Sequence, residues 1–259
     1  MSIEVSPDWW KSLFDEVYLL TDARSVCDPD VTRLEVDVVS ELLPLKPDNR
    51  ILDLCGGHGR HSIELAGRGY LNCTVLDYSH VLLDRGRKAA AELFRHVVFV
   101  QGDATDTGQP EGHFDHVLLL GNSLGYLPDT VDDLQIMHEA MRILKPGGWL
   151  LVDVTDGTLV RERFNPNAWH EIEGRVVVCR QRELADDSIR AREIVICKKQ
   201  GLVRDQSYAI RIYDAASLEN LIRQAGFADV SVRKNFCSQL ADGDYGFMNH
   251  RLIITARKP

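Results

Sequence analysis

Ile51-Leu52-Asp53-Leu54-Cys55-Gly56-Gly57-His58-Gly59-Arg60-His61 runs a short apolar segment directly into small residues and then into a helical pattern. Glycine at a strand-to-helix junction lets the backbone approach a ligand closely and adopt conformations closed to other residues. Outward from this point the same alternation repeats. Strands are predicted at 51–54, 71–76, 97–100, 116–120 and 149–154, and helices at about 61–67, 79–94 and 130–144. Lys145-Pro146-Gly147-Gly148 reads as the turn before the fifth strand. Short apolar runs joined by crossover helices specify an α/β fold, a doubly wound and mostly parallel sheet.

The flanks differ in pattern. Ser6-Pro7-Asp8 is a helix start, followed by an apolar face on Trp9, Leu13, Phe14, Val17 and Leu20; a second helix starts near Asp28-Pro29 and stops before Pro44 and Pro47. After Asp156 the sequence reads as consecutive strands over 172–184, 189–199 and 202–212, with Ala185-Asp186-Asp187-Ser188 as a turn. Val176, Val178 and Arg180 fall on one side and Arg175, Val177 and Cys179 on the other. A helix at 217–225, a Gly226 stop and strands at 227–236 and 251–256 restore the α/β pattern. The expected division is therefore 1–47 for the N-terminal helices, 48–156 for the core, 157–213 for an antiparallel meander inserted after the fifth strand, and 214–259 for the rest of the core.

Three acids stand at or near three successive strand ends. Asp53, beside the first turn, would repel a pyrophosphate but suits a cationic amine, and no G-x-G-x-x-G dinucleotide fingerprint is present. Asp77 can accept from both hydroxyls of a ribose, and Gly102-Asp103-Ala104 offers a carboxylate beside an amide, suited to an adenine.

In these residues the chain resembles the class I, Rossmann-like S-adenosylmethionine-dependent methyltransferases. Asp53 to Gly59 resembles their first motif with Cys55 in place of the leading glycine; Asp77 and Gly102-Asp103 match the ribose and adenine acids; Gly121-Asn122-Ser123 matches the fourth-strand motif beside the transferred methyl; and Leu144 to Gly148 matches the turn before the fifth strand. The resemblance implies S-adenosylmethionine as cofactor, bound by Asp53, Cys55, Gly56, Gly57, Gly59, Arg60, Asp77, Tyr78, Gly102, Asp103, Ala104, Gly121 and Asn122. The Trp9-Trp10 helix and the meander are similar to those of bacterial small-molecule methyltransferases. In that family an N-terminal helical lid and a strand insertion cover the acceptor; the expected acceptor is a small molecule such as a secondary metabolite or amino sugar, methylated on oxygen or nitrogen in the first instance, with carbon left open.

For the transfer, Asn122, Tyr18 and His170 are the catalytic candidates: Asn122 from the motif, Tyr18 for a hydroxyl or ring face beside a cationic methyl group, and His170 as a general base at the opening of the meander. Tyr126, Tyr213 and His250 are further candidates, with Trp10, Phe14 and Phe164 as aromatic wall. His58-x-x-His61 and His113-x-x-His116 have metal-like spacing but no suitably placed cysteine or carboxylate partner, so no metal is expected. A net charge of -9 disfavours nucleic acid as partner. The basic residues between Arg175 and Arg204 are interleaved with acids and read as solvated strand faces. Six scattered cysteines, and the lack of a leader or of an apolar run of about 20 residues, give a cytoplasmic protein without membrane contact as the expectation. Exposed meander edges leave a homodimer open. Two other functions stay open at this point, a nicotinamide-dependent oxidoreductase and a non-catalytic regulatory protein that binds S-adenosylmethionine.

Overall fold

A computed structural model describes residues 2–185, 187–237 and 250–259. Its centre is a sheet of seven strands, β1 (Arg50–Leu54), β2 (Asn72–Asp77), β3 (Val97–Gln101), β4 (Phe114–Leu119), β5 (Leu144–Thr155), β10 (Ala228–Phe236) and β11 (Arg251–Arg257), in the order β10-β11-β5-β4-β1-β2-β3. β1 pairs in parallel with both β2 and β4, and β11 runs antiparallel between β5 and β10. The chain thus moves from β1 to β3 on one side and resumes at β4 on the other. That reversal opens a crevice at the carboxyl ends of β1 and β4, where open α/β sheets bind ligands.

The strands that flank this crevice are buried on both faces, so their sequences are continuously apolar rather than alternating. On one face Leu52, Leu54, Val117, Leu119, Leu150 and Val152 pack against α7 (Thr130–Ile143) and α9 (Ala215–Gln224). On the other, Ile51, Cys73, Leu118, Leu151 and Ile253 meet α4 (Pro29–Leu42) and Leu65 of α5 (Arg60–Gly67). Helix α6 (His80–Glu92) begins at Ser79, whose hydroxyl accepts from the Leu82 amide, and α4 begins at Asp28 with Pro29 in its first turn, as the sequence predicts. Within α6, Gly86 decides how closely the helix approaches β3 and the glycine turn. A Cβ there would stand 2.5 Å from both the His58 carbonyl oxygen and a Phe99 ring carbon.

A second sheet follows β5, built in the order β6 (Asn167–Ile172), β7 (Val176–Leu184), β8 (Ser188–Cys197) and β9 (Gly201–Arg211), all antiparallel. Its base is tied to the core. Asp133 of α7, fully buried, accepts from the Arg211 guanidinium and the Tyr213 hydroxyl, and the Arg211 amide donates to Gly125 O at 2.7 Å. Short N-terminal helices α1 (Trp10–Leu13), α2 (Glu16–Thr21) and α3 (Ala23–Val26) cover its inner face, with Trp9 and Leu13 packed on Ala191, Tyr208 and Ile210.

Several sequence expectations need correction. The helix expected from Pro7 is broken at Phe14-Asp15, because the Asp15 carboxylate accepts from the Val17 and Tyr18 amides and restarts the chain as α2. The meander has an additional first strand, β6, joined to β7 by Glu173-Gly174-Arg175, where Glu173 and Gly174 have positive φ. α8 (Gly157–Glu162), capped by Asp156, precedes it. Lys145 to Gly148 lies within the irregular start of β5 rather than in a separate turn. Of the expected Ala185 to Ser188 turn, Asp186 lies outside the described residues. No helix among the described residues is long and apolar enough to cross a membrane.

Gly86→Ala tests the close approach of α6. The substitution gains about 1 kcal/mol of helix propensity but adds crowding of about 1–3 kcal/mol against a backbone carbonyl that cannot swing aside. A lower midpoint in thermal unfolding is expected, by about 2–4 °C per kcal/mol of net loss.

Candidate functional site

Two adjoining cavities lie over the crevice. The first is lined by the turn after β1, the ends of β2 and β3, and the loop after β4, and is covered by Trp10, Phe14 and Tyr18. The turn exists because of its small residues. Gly57 and Gly59 have φ of 58° and 71°, and a Cβ on Gly56 would lie 2.6 Å from Asp53 Cγ. Asp77 fixes the turn from the neighbouring strand: its Oδ2 accepts from the Gly57 amide at 2.7 Å and its Oδ1 from the Ser79 amide at 2.8 Å. Burial pushes the Asp77 carboxyl up to about 6, against the pull of these amides.

Ten expected residues line this cavity: Cys55, Gly56, Gly57, Arg60, Asp77, Tyr78, Gly102, Asp103, Ala104 and Gly121. Tyr78 packs edge-on against Trp10 at 4.7 Å between ring centroids. Asp103 uses Oδ1 to accept from the amide and hydroxyl of Thr105, at 2.9 and 2.7 Å. Three others sit elsewhere. Asp53 is fully buried beneath Gly56, with Oδ2 accepting from the Ser62 hydroxyl at 3.1 Å and Oδ1 without a partner; burial raises its pKa. It supports the turn instead of facing a ligand amine across the cavity. Gly59 packs against Phe99 and Val75, leaving no room for a side chain. Asn122 lines the second cavity.

That second cavity lies between the N-terminal helices and the inner face of the β6–β9 sheet, and it shares Phe14, Tyr18, Val26, Arg60, Gly121 and Tyr126 with the first. Tyr18 and Tyr126 therefore stand at the junction, and burial raises the pKa of both phenols, so they remain protonated hydroxyls. Asn122, at φ 63°, gives its side-chain oxygen to the Thr155 amide at 2.8 Å and turns its nitrogen toward Tyr126. Asp153 receives the Gly121 and Arg251 donors, at 3.3 and 2.7 Å, and braces the same loop from behind.

Comparison with known proteins agrees with this geometry. A family profile described as a methyltransferase domain matches residues 51–148. A demethylmenaquinone methyltransferase of Mycolicibacterium vanbaalenii is 35% identical over 152 residues, 58% of this chain and 62% of that one, so less than two thirds of the relative is spanned. The structure of the CcbJ methyltransferase from Streptomyces caelestis superposes with a TM-score of 0.74 at 20% identity, over 98% of this chain and 99% of that one. The sugar N-methyltransferase KedS8 from Streptoalloteichus superposes at 0.66, with 19% identity, over 100% and 98% of the two chains. At such identities the two structures establish the fold. Residues 51–148 thus carry a methyltransferase domain, and the fold is that of the class I S-adenosylmethionine-dependent methyltransferases.

S-adenosylmethionine fits the first cavity. Bare glycine backbone, one carboxylate preset by two amides and an aromatic cover provide for a ligand that is part polar nucleoside, part cation. His170 lines neither cavity; its Nε2 meets the Thr21 carbonyl oxygen at 3.2 Å on strand β6. His61 is bound to Glu35, His116 to Asn49 and His113 to Arg50, and no metal-holding cluster occurs among the described residues. Tyr213 serves Asp133, Phe164 packs beside Val160, and His250 contacts Arg163.

The largest correction concerns the basic residues of the meander. Arg192 and Lys198 are solvated, as expected, but Arg180, Arg182 and Arg204 line the second cavity. Alternation along β7 indicated that Arg180 shares a face with Val178; what it could not indicate was that this face looks inward, toward the N-terminal helices. Glu35 was also missed. Burial alone would raise its pKa, yet Arg60 and His61 hold it well below the usual carboxylate range.

Cys55 occupies a left-handed conformation, φ 56°, at the position where the family's first motif has glycine. A side chain there costs roughly 1–2 kcal/mol. Cys55→Gly is accordingly expected to raise the thermal midpoint by several degrees, and an unchanged or lower midpoint would show that the thiol's packing outweighs the backbone strain.

Proposed function

We propose that this methyltransferase holds S-adenosylmethionine in the first cavity and transfers its methyl group to an oxygen or nitrogen of a small molecule seated in the second. The observation that carries the reading is the shared wall. Phe14, Tyr18, Gly121 and Tyr126 belong to both cavities, so a donor and an acceptor would meet there without a separate channel. A demethylmenaquinone methyltransferase and a sugar N-methyltransferase among the similar proteins act, by their names, on small acceptors.

In this reading Asp77 accepts from the ribose hydroxyls through the lone pairs not used by Gly57 and Ser79. Asp103 and the Gly102 and Ala104 backbone receive the adenine, Tyr78 and Trp10 cover it, and the glycine turn with Cys55, Arg60 and Gly121 holds the remainder. Bound S-adenosylmethionine supplies a sulfonium whose methyl group is displaced in line by the acceptor. What the protein contributes is alignment, since holding the reactants in near-attack geometry removes several kcal/mol of barrier, about 7–11 in the best intramolecular cases. Tyr18, Tyr126 and Asn122 orient the acceptor as hydrogen-bonding groups and ring faces at the junction. None of them is poised as a base at neutral pH, and His170 lines neither cavity.

Calorimetric titration with S-adenosylmethionine and S-adenosylhomocysteine, with NADH as control, tests the donor site. Micromolar binding of the first two is expected, weakened at least about 100-fold by Asp77→Ala, which removes two charge-assisted hydrogen bonds. Binding of NADH instead, or an Asp77→Ala protein of unchanged affinity, would contradict the assignment. Methyl transfer to an acceptor panel, read by mass, separates an enzyme from a non-catalytic binder.

The elevated Asp77 pKa adds a pH signature. Ribose hydroxyls donate to the carboxylate and not to the neutral acid, so binding must expel the proton that the free protein carries below about pH 6. The dissociation constant is expected to be flat above pH 7 and to rise as pH falls through 6, by up to about tenfold per unit. A flat profile down to pH 5 would remove Asp77 from the ribose.

A further inference from the structure

The wall of the second cavity is rich in hydrogen-bond donors and poor in available acceptors. Five guanidinium groups line it, those of Arg60, Arg180, Arg182, Arg204 and Arg251. Among the described residues only three carboxylates do, and each is already engaged by a cation. Glu193 accepts from Arg180 at 2.7 Å and meets Arg204, Asp22 accepts from Arg180 at 2.9 Å, and Glu35 accepts from Arg60 and His61. Asp15 and Asp153, on Arg204 and Arg251, complete the charge balance from behind the wall.

Balanced charge does not mean exhausted donors. Arg251 has a side chain only 3% exposed, and among the described residues its Nε has no hydrogen-bond partner. The Asn122 side-chain nitrogen on the same wall also lacks a partner of normal geometry. Buried donors without partners cost about 1–3 kcal/mol each and mark where a ligand or water completes the structure. The buried carboxylate oxygens that lack partners, on Asp53, Asp133 and Asp153, line neither cavity. The same cavity also carries aromatic surface: Tyr208 lies on the face of β9 that bears Arg204, and Trp9 stands 5.8 Å from Tyr208 and 5.4 Å from Tyr126 between ring centroids.

We propose that the methyl acceptor is an acid, a small molecule whose carboxylate is held by the arginines of the β6–β9 sheet while its apolar body lies on the Trp9–Tyr126–Tyr208 face. This rests on the assignment of the second cavity to the acceptor. A planar oxyanion takes paired N–H donors from guanidinium groups, whereas an amide offers one acceptor oxygen and an ammonium offers none.

The test compares three probes of nearly one shape, 3-phenylpropionate, 3-phenylpropionamide and 3-phenylpropylamine, by calorimetry with the full chain, both free and saturated with S-adenosylhomocysteine. The carboxylate is expected to bind at least about tenfold more tightly than either of the others. In Arg204→Gln the preference should fall to about threefold or less and be partly restored in Arg204→Lys, with S-adenosylhomocysteine affinity within about threefold of the parent as the check on folding. Equal binding of the amide, preferred binding of the amine, or failure of the carboxylate to bind would overturn the proposal in the parent protein, without recourse to a variant. Because the probes are also titrated in the absence of S-adenosylhomocysteine, failure of the donor site shows in its own titration and is separate from failure of the acid pocket.

Discussion

Two hydrogen bonds to one carboxylate hold the functional end of this molecule together. Asp77 receives the Gly57 amide with one oxygen and the Ser79 amide with the other, and so joins the turn after β1 to the start of α6 at the place where the sheet reverses its winding. Burying that carboxyl raises its pKa, and the amides that it accepts from offset part of that cost. The glycines, the Gly86 contact and the cover of Trp10 over Tyr78 all presuppose a turn held in this one shape.

Much of this was legible in the sequence, because the signals are local. Strand limits within a few residues, the glycine turn, Asp77, Asp103 and the cap at Asp28 all follow from short-range rules of burial period and turn chemistry. Asp53 shows where such rules run out. Its charge pointed toward a cationic ligand, but the side chain is fully buried and lies under Gly56. His170 and the broken first helix failed for a related reason: their partners, Thr21 for one and the Asp15-capped amides for the other, are set by how the N-terminal segment lies on a distant sheet.

The arginines of the meander are the clearest instance. An alternating strand declares two faces but does not say which is wet, and interleaved acids look the same on a solvated ladder as in a buried network. Only the N-terminal helices, laid over β7 to β9, turn Arg180, Arg182 and Arg204 into the wall of a cavity. The same covering places Arg204 against Asp15 and Arg180 against Asp22, so the residues that shape the second cavity also fasten its roof. An anion bound there would compete with, and be oriented by, the carboxylates that hold those arginines when it is absent.

The two cavities draw on different lengths of chain. Every described residue lining the first lies between Trp10 and Ile136, while the second also needs strands β7 to β9 and Arg251. As the polypeptide emerges from a ribosome, the residues of the donor cavity are all present about half-way through, whereas the second cavity awaits the last strand, and its roof must wait for partners some 160–190 positions away. The order of synthesis is thus also an order of completion, in which a nascent chain holds the described residues of the first cavity before it holds those of the second.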